Sequence, residues 1–179
     1  MLMISLMQLE KGAQHAHAHA LLRECLRHCG IDFNGDADLR TGGNGKPYLA
    51  ERPDVHFNLS HADGIAACLV ADTECGVDCE RVRKYRPNVV RRSFSASERE
   101  LMESLPEDGR DMMFTRIWTL KEAYVKALGT GLAYPMNSVS FSFEGGRIVT
   151  GVRGFGFRQY ILKSGHIVST CIKIPLCGT

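Results

Sequence analysis

The sequence predicts an α+β fold built from two similar units, each a helix packed on a small, mainly antiparallel sheet. Helical apolar periodicity occurs twice, near residues 13–29 and 107–128. Short strand-like runs flank both segments, about three to each half. The halves divide near residue 75 with no Pro/Ser-rich linker, so subdomains 1–75 and 76–179 are expected to pack tightly as one compact chain. A site between them is the natural expectation, because such interfaces commonly form ligand pockets.

The elements follow in order. Met1 to Met7 is apolar but short, without a basic flank or small-residue cleavage site, and reads as a strand near 2–8 instead of a signal peptide. A helix near 13–29 ends at Gly30. A polar loop from Asn34 to Gly45 precedes short strands near 47–50 and 55–59. Gly64 to Val70 is a continuous apolar run, the pattern of a buried strand, and Gly76 to Val82 follows after a turn at 72–74. Helices are expected over 88–93, 96–104 and 107–128, the last stopped by Gly129 and Gly131. The tail alternates through Val139, Phe141 and Phe143, then Ile148, Phe155 to Leu162 and Ile167 to Ile174, and reads as an antiparallel meander.

Composition excludes several classes. A net charge of +2 gives no bulk electrostatic case for nucleic acid, and no basic run with interleaved aromatics appears. No apolar run approaches the 18 residues of a membrane span. Seven cysteines, mostly within apolar or helical patterns, fit reduced thiols in a cytoplasmic protein better than a disulfide framework. Cys25-x3-Cys29 and Cys75-x3-Cys79 lack the second half of a zinc site. In His15-Ala16-His17-Ala18-His19 only His15 and His19 share a helix face, which reads as a solvated face or an anion contact.

Chemistry concentrates at two places. Asp78 and Glu80 leave the same face of a strand, while Val77 and Cys79 point into a core. Adjacent carboxylates repel unless a cation or proton intervenes. The segment Trp118 to Lys126 is helical, with Ile117, Leu120, Tyr124 and Leu128 on one face and Glu122 and Lys126 one turn apart on its flank. Lys121 lies close to the apolar face, which predicts an anionic neighbour that the sequence does not name. Three carboxylates without His or Cys suit Mg²⁺, with Mn²⁺ as an alternative, completing its shell on substrate phosphates. Ser60 and His61 at a strand end, and Lys46 in a Gly-flanked turn, can donate to phosphate oxygens, though the Lys46 turn is not a Walker A loop.

Taken in order, Gly45-Lys46-Pro47-Tyr48, Phe57-Asn58-Leu59-Ser60-His61, Gly76-Val77-Asp78-Cys79-Glu80 and Trp118-Thr119-Leu120-Lys121-Glu122-Ala123-Tyr124-Val125-Lys126 resemble the 4′-phosphopantetheinyl transferases of the larger, surfactin-synthetase-activating type. Phe94 to Glu98 and Gly131-Leu132 resemble two further family segments. The resemblance implies a pseudo-dimeric fold in a monomer. It implies that coenzyme A and an apo acyl or peptidyl carrier protein are substrates, and that 3′,5′-ADP leaves when the phosphopantetheine arm reaches a carrier serine. By motif, Asp78, Glu80 and Glu122 hold Mg²⁺, and Lys126 lies against the pyrophosphate. Lys46, Ser60 and His61 bind coenzyme A phosphates, Gly45 and Pro47 lie near the adenine, and Glu98 or Glu122 takes the serine proton.

Two departures matter. Where the family often carries Arg or Lys for the coenzyme 3′-phosphate, this chain has His17 and His19, with Arg23 one turn on. The chain is also short for the larger type, mostly before Gly45, which implies a trimmed first subdomain. Two other readings are a non-catalytic module of the same fold that binds coenzyme A or carriers, and a metal-dependent hydrolase of nucleotide pyrophosphates.

Overall fold

The computed structural model describes residues 1–6 and 13–174, apart from the side chains of 13, 14, 36 and 132. The elements are β1 (Leu2–Leu6), α1 (Ala13–His28), β2 (Leu39–Thr41), β3 (Pro47–Leu49), β4 (His56–Ala62), β5 (Ile65–Ala71), β6 (Cys75–Arg81), α2 (Pro87–Ser93), α3 (Ala96–Ser104), α4 (Glu107–Leu128), β7 (Phe141–Glu144), β8 (Arg147–Thr150), β9 (Phe155–Ile161) and β10 (His166–Lys173). Residues 7 and 8 of the expected first strand, and the Leu132 side chain, lie outside the described residues.

Two three-stranded antiparallel sheets share one connectivity. The first has the order β1-β5-β4 and carries α1; the second has the order β6-β10-β9 and carries α4. Each is a strand, a helix, then a hairpin whose last strand inserts in the centre. This corrects the expected meander: β10 lies between β6 and β9, and β7-β8 is a separate two-stranded hairpin. The polar loop 34–45 also contains β2, paired with β3.

β5 reads as an unbroken apolar run because both its faces are buried. Ala66, Cys68 and Val70 face the core under α1 with Leu22, Leu26 and Phe57. Ile65, Ala67 and Leu69 face Val77, Cys79 and Val168 of the other sheet. The two halves therefore share a core. They are further joined where β6 meets β4: the Val77 N–H donates to Asn58 Oδ1 at 2.8 Å and the Cys79 N–H to Ser60 Oγ at 3.2 Å. Side chains thus fill places where a continuous sheet would use ladder bonds.

α4 carries Glu107 and Asp108 in its first turn and Lys126 in its last, as the helix dipole favours. Gly129 ends it in the left-handed conformation (φ 68°), its N–H donating to the Val125 carbonyl. The helix lies directly on β6 because Gly76 has no side chain. A Cβ there would run into the backbone of Ala123 and Ala127 and lie 3.0 Å from the carbonyl carbon of Lys126. Gly76→Ala is therefore expected to lift α4 off β6 and cost about 3 kcal/mol by overpacking, read as a lower urea midpoint. Among the described residues no helix is long and apolar enough to cross a membrane.

Candidate functional site

The close approach at Gly76 brings the flank of α4 against Asp78. Asp78 is buried on β6, and its Oδ1 accepts from Lys126 Nζ at 2.7 Å and from Ser60 Oγ at 3.0 Å. Its Oδ2 is buried and has no hydrogen-bond partner among the described residues. Glu80, two residues on and half-buried, pairs with Arg83 at 3.2 Å. Glu122 stands one turn before Lys126 on α4.

The electrostatics follow from this crowding. Burial first, and then the charges of Asp78 and Glu80, raise the Glu122 carboxyl above its ordinary range, with Lys126 and Arg83 pulling the other way. Burial and Asp78 likewise raise Glu80 against Arg83, Lys126 and Arg86. For Lys126, burial pulls down, but the charge and hydrogen bond of Asp78, helped by Glu122, keep the ammonium above its usual value.

Among the described residues, no group of three His, Cys, Asp or Glu side chains stands ready as it is to hold a metal ion. The donor chemistry nevertheless fits a hard divalent cation: an orphaned buried carboxylate oxygen on Asp78 and two carboxyls whose mutual repulsion a cation would relieve.

A cavity of about 320 Å³ opens beside these acids, lined by Gly45, Lys46, Pro47, Asn58, Glu122 and Lys126 among others. Gly45 and Pro47 thus line the same cavity as Glu122 and Lys126. Three expected contacts differ. Ser60 Oγ donates to Asp78 and accepts from Lys126 Nζ (3.0 Å) and the Cys79 N–H, which saturates the hydroxyl. It is a hub joining the halves, with no hydrogen-bonding capacity left for a phosphate. Lys46 donates its ammonium to the carbonyls of Cys75 and Lys126, both at 2.8 Å, and of Ala127 at 3.4 Å. It neutralises the C-terminal carbonyls of α4 instead of reaching for a phosphate. Lys46→Met is expected to cost about 1–3 kcal/mol by stranding these carbonyls. Thermal unfolding should show it, whereas a phosphate contact would instead raise only the ligand Kd.

The third difference is Glu98. It is buried in its own network, not at the cavity. It closes a capping box with Ser95, its Oε1 accepts from the Phe141 N–H at 2.8 Å, and its Oε2 accepts from the Ser95 N–H at 2.7 Å. Lys121 Nζ lies 2.8 Å from the same Oε2, and both side chains are essentially unexposed (0% and 1%). The anion that the sequence demands for Lys121 is Glu98, and this pairing holds the carboxylate away from the cavity.

His61 is exposed near the end of β4; partial burial, then His15 and Lys126, hold its imidazole below the ordinary range. Arg23 lines a neighbouring cleft of about 460 Å³ with His15, His19 and Asn34. The His15 and His19 rings sit 4.4 Å apart, while His17 turns to Ser5 at 2.9 Å. Sequence reasoning missed Arg83, which pairs with Glu80 at i+3 and stacks 5.3 Å from the Trp118 ring. It also missed a second groove on the other side of Glu122.

Fold and site together define a doubled β-α-β-β protein with an acid-and-lysine cluster at the seam between its halves. The family model of the 4′-phosphopantetheinyl transferase superfamily matches residues 74–171, and the chain belongs to that superfamily. It is 36% identical over 100 residues to 4′-phosphopantetheinyl transferase psf-1 of Bacillus pumilus, covering 56% of this chain and 43% of that protein. It is 30% identical over 105 residues to 4′-phosphopantetheinyl transferase Sfp of Bacillus subtilis (strain 168), covering 59% and 47%. The chain thus spans less than half the length of these curated relatives. A holo-(acyl-carrier-protein) synthase from Bacillus anthracis, solved in complex with CoA (3′,5′-ADP), is 16% identical with a TM-score of 0.47, covering 56% of this chain and 95% of that one.

Proposed function

We propose that the chain transfers 4′-phosphopantetheine from coenzyme A to a serine of an apo acyl or peptidyl carrier protein, in a Mg²⁺-dependent reaction that releases 3′,5′-ADP. The observation that carries this reading is the convergence of Asp78, Glu80, Glu122 and Lys126 beside a cavity walled by Gly45 and Pro47. The first subdomain, 1–75, supplies the coenzyme wall, and the second, 76–179, supplies the acids. The protein acts in the cytoplasm as a monomer.

Transfer of this kind depends on positioning and charge neutralisation more than on covalent help. A divalent cation supplies Lewis-acid stabilisation of the pyrophosphate oxygens when bound. Asp78, through its orphaned Oδ2, with Glu80 and Glu122, would hold it. Lys126, kept charged by Asp78, neutralises the pyrophosphate from the α4 side. Glu122, on the wall of the cavity, is the carboxylate we assign to accept the serine proton, directly or through a water. The non-catalytic reading loses support because all three acids and Lys126 are present.

Carrier-dependent turnover tests the reaction. Coenzyme A should be converted to 3′,5′-ADP only when an apo carrier is added. Equal release without any carrier would replace transfer by hydrolysis.

A further inference from the structure

Among the cysteines of the described residues, Cys29 alone is exposed and the others are buried. Three of them line up through the first subdomain, from the surface inwards. Cys29 stands one turn after Cys25 at the end of α1, its N–H donating to the Cys25 carbonyl at 3.2 Å. Cys25 on α1 and Cys68 on β5 are fully enclosed in one core cluster, between the helix and the strand it packs on.

The backbone places the two buried thiols together. Cys25 Sγ lies 4.0 Å from the Met1 carbonyl, which also accepts from the Val70 N–H at 2.9 Å. Val70 is two residues from Cys68 on the same face of β5, so the Cys25 thiol sits over that stretch of strand. Ala66 and Cys68 are small, which lets the helix approach closely there. The thiols of Cys25 and Cys68 are hydrogen-bonded to each other. That bond holds the Cys25 thiol below its ordinary range against burial, and the same bond together with burial raises Cys68. Of the two, Cys25 ionises first and is the nucleophile. Cys75 is not a rival partner. It packs on the other face of β5 with Ile65, Ala67 and Leu69, and its thiol donates to the Leu69 carbonyl at 3.9 Å.

We propose that Cys29, Cys25 and Cys68 form a thiol relay that carries an oxidising equivalent from solvent into the core and closes a Cys25–Cys68 disulfide between α1 and β5. The oxidant is a small disulfide such as oxidised glutathione. The Cys29 thiolate attacks it, forms a mixed disulfide and releases one small thiol. The Cys25 thiolate then attacks the Cys29 sulfur, releases the second small thiol and forms Cys25–Cys29. Cys68 attacks Cys25 in turn and sets Cys29 free as a thiolate. In sum, two protein thiols give up two electrons and two protons, and the small disulfide takes up both. The exposed thiol supplies the entry that two enclosed thiols lack. The product ties the helix to the central strand of the first sheet and constrains the unfolded chain between residues 25 and 68.

The test oxidises the reduced, folded protein with excess oxidised glutathione, alkylates it in denaturant, and reads intact mass, a non-reduced peptide map and the Tm. The parent should become two hydrogens lighter, with a Cys25–Cys68 linked peptide and a Tm raised by about 5–10 °C, all reversed by dithiothreitol. Cys68→Ala should show no such rise in Tm. Cys29→Ser should form the same linked peptide, but on the order of tenfold more slowly. A parent protein that carries only a glutathione adduct on Cys29, with Cys25 and Cys68 both alkylated, overturns the proposal. A Cys29→Ser variant that oxidises as fast as the parent overturns the relay.

Discussion

Glu122→Gln is expected to abolish transfer and to make the protein more stable. On the proposed reading, loss of this carboxylate removes a cation ligand and the proton acceptor together, a deficit on the order of 10³-fold in rate. The stability effect has an independent origin. The folded-state pKa of Glu122 is raised by burial and by Asp78 and Glu80. A carboxyl raised in the folded state binds its proton more tightly there than in the unfolded chain. Stability is then greatest at low pH and falls as pH rises from the ordinary carboxylate range through the raised value. The uncharged amide removes that decline. The variant should therefore exceed the parent in Tm at pH 8, by about 2–4 °C for each kcal/mol of repulsion relieved, and approach it near pH 4. Mg²⁺ should raise the Tm of the parent at pH 8 more than that of the variant, because a cation and an amide relieve the same repulsion. A thermal scan across pH, with and without Mg²⁺, reads all three effects without an activity assay.

The second large effect is expected at the buried pair Lys121–Glu98. Lys121 Nζ also donates to the carbonyls of Met136 (2.8 Å) and Val139 (2.6 Å) and lies 5.7 Å from the Phe94 ring. The pair therefore ties α3, α4 and the segment leading into β7 to one another. Burial holds the Lys121 ammonium below its ordinary range even against the pull of Glu98. Removing one member leaves a buried charge without its partner, at a cost of about 3–5 kcal/mol. Lys121→Met and Glu98→Gln should each show this in denaturant unfolding. The double variant should lose less than the sum, since neither charge is then stranded. Glu98→Gln should keep its transfer rate where it is folded. A rate loss without a stability loss would return Glu98 to the role of base.

Much of this was legible in the sequence because local signals and tertiary packing agree. α4 spans 107–128 as its periodicity and Gly129 predict, and Val77 and Cys79 point into the core as the strand alternation predicts, although Asp78 on the other face is buried as well. Strand partners were less legible, since periodicity marks a strand without saying what it pairs with. β10 therefore lies centrally where a meander places it at an edge, and the three-residue β2 is hidden in a polar loop. Lys121 shows the same division. Its apolar setting demands an anion, but the partner is a matter of tertiary contact. The Ser95-x-x-Glu98 capping box was the available clue that Glu98 belongs to a helix start, and burial makes that role exclusive. Ser60 and Lys46 carry the right donors at the right places in the chain. Only the contact between the halves reveals that Asp78, Lys126 and the end of α4 already occupy them.

Intact-mass spectrometry of apo carriers incubated with the protein, coenzyme A and Mg²⁺ tests the central claim most directly. A single phosphopantetheine added to the carrier serine, lost when the metal is chelated and restored when Mg²⁺ returns, is the expected result. No adduct on any of a panel of fatty-acid, polyketide and peptide-synthase carriers, with folded protein and Mg²⁺ present, would contradict it.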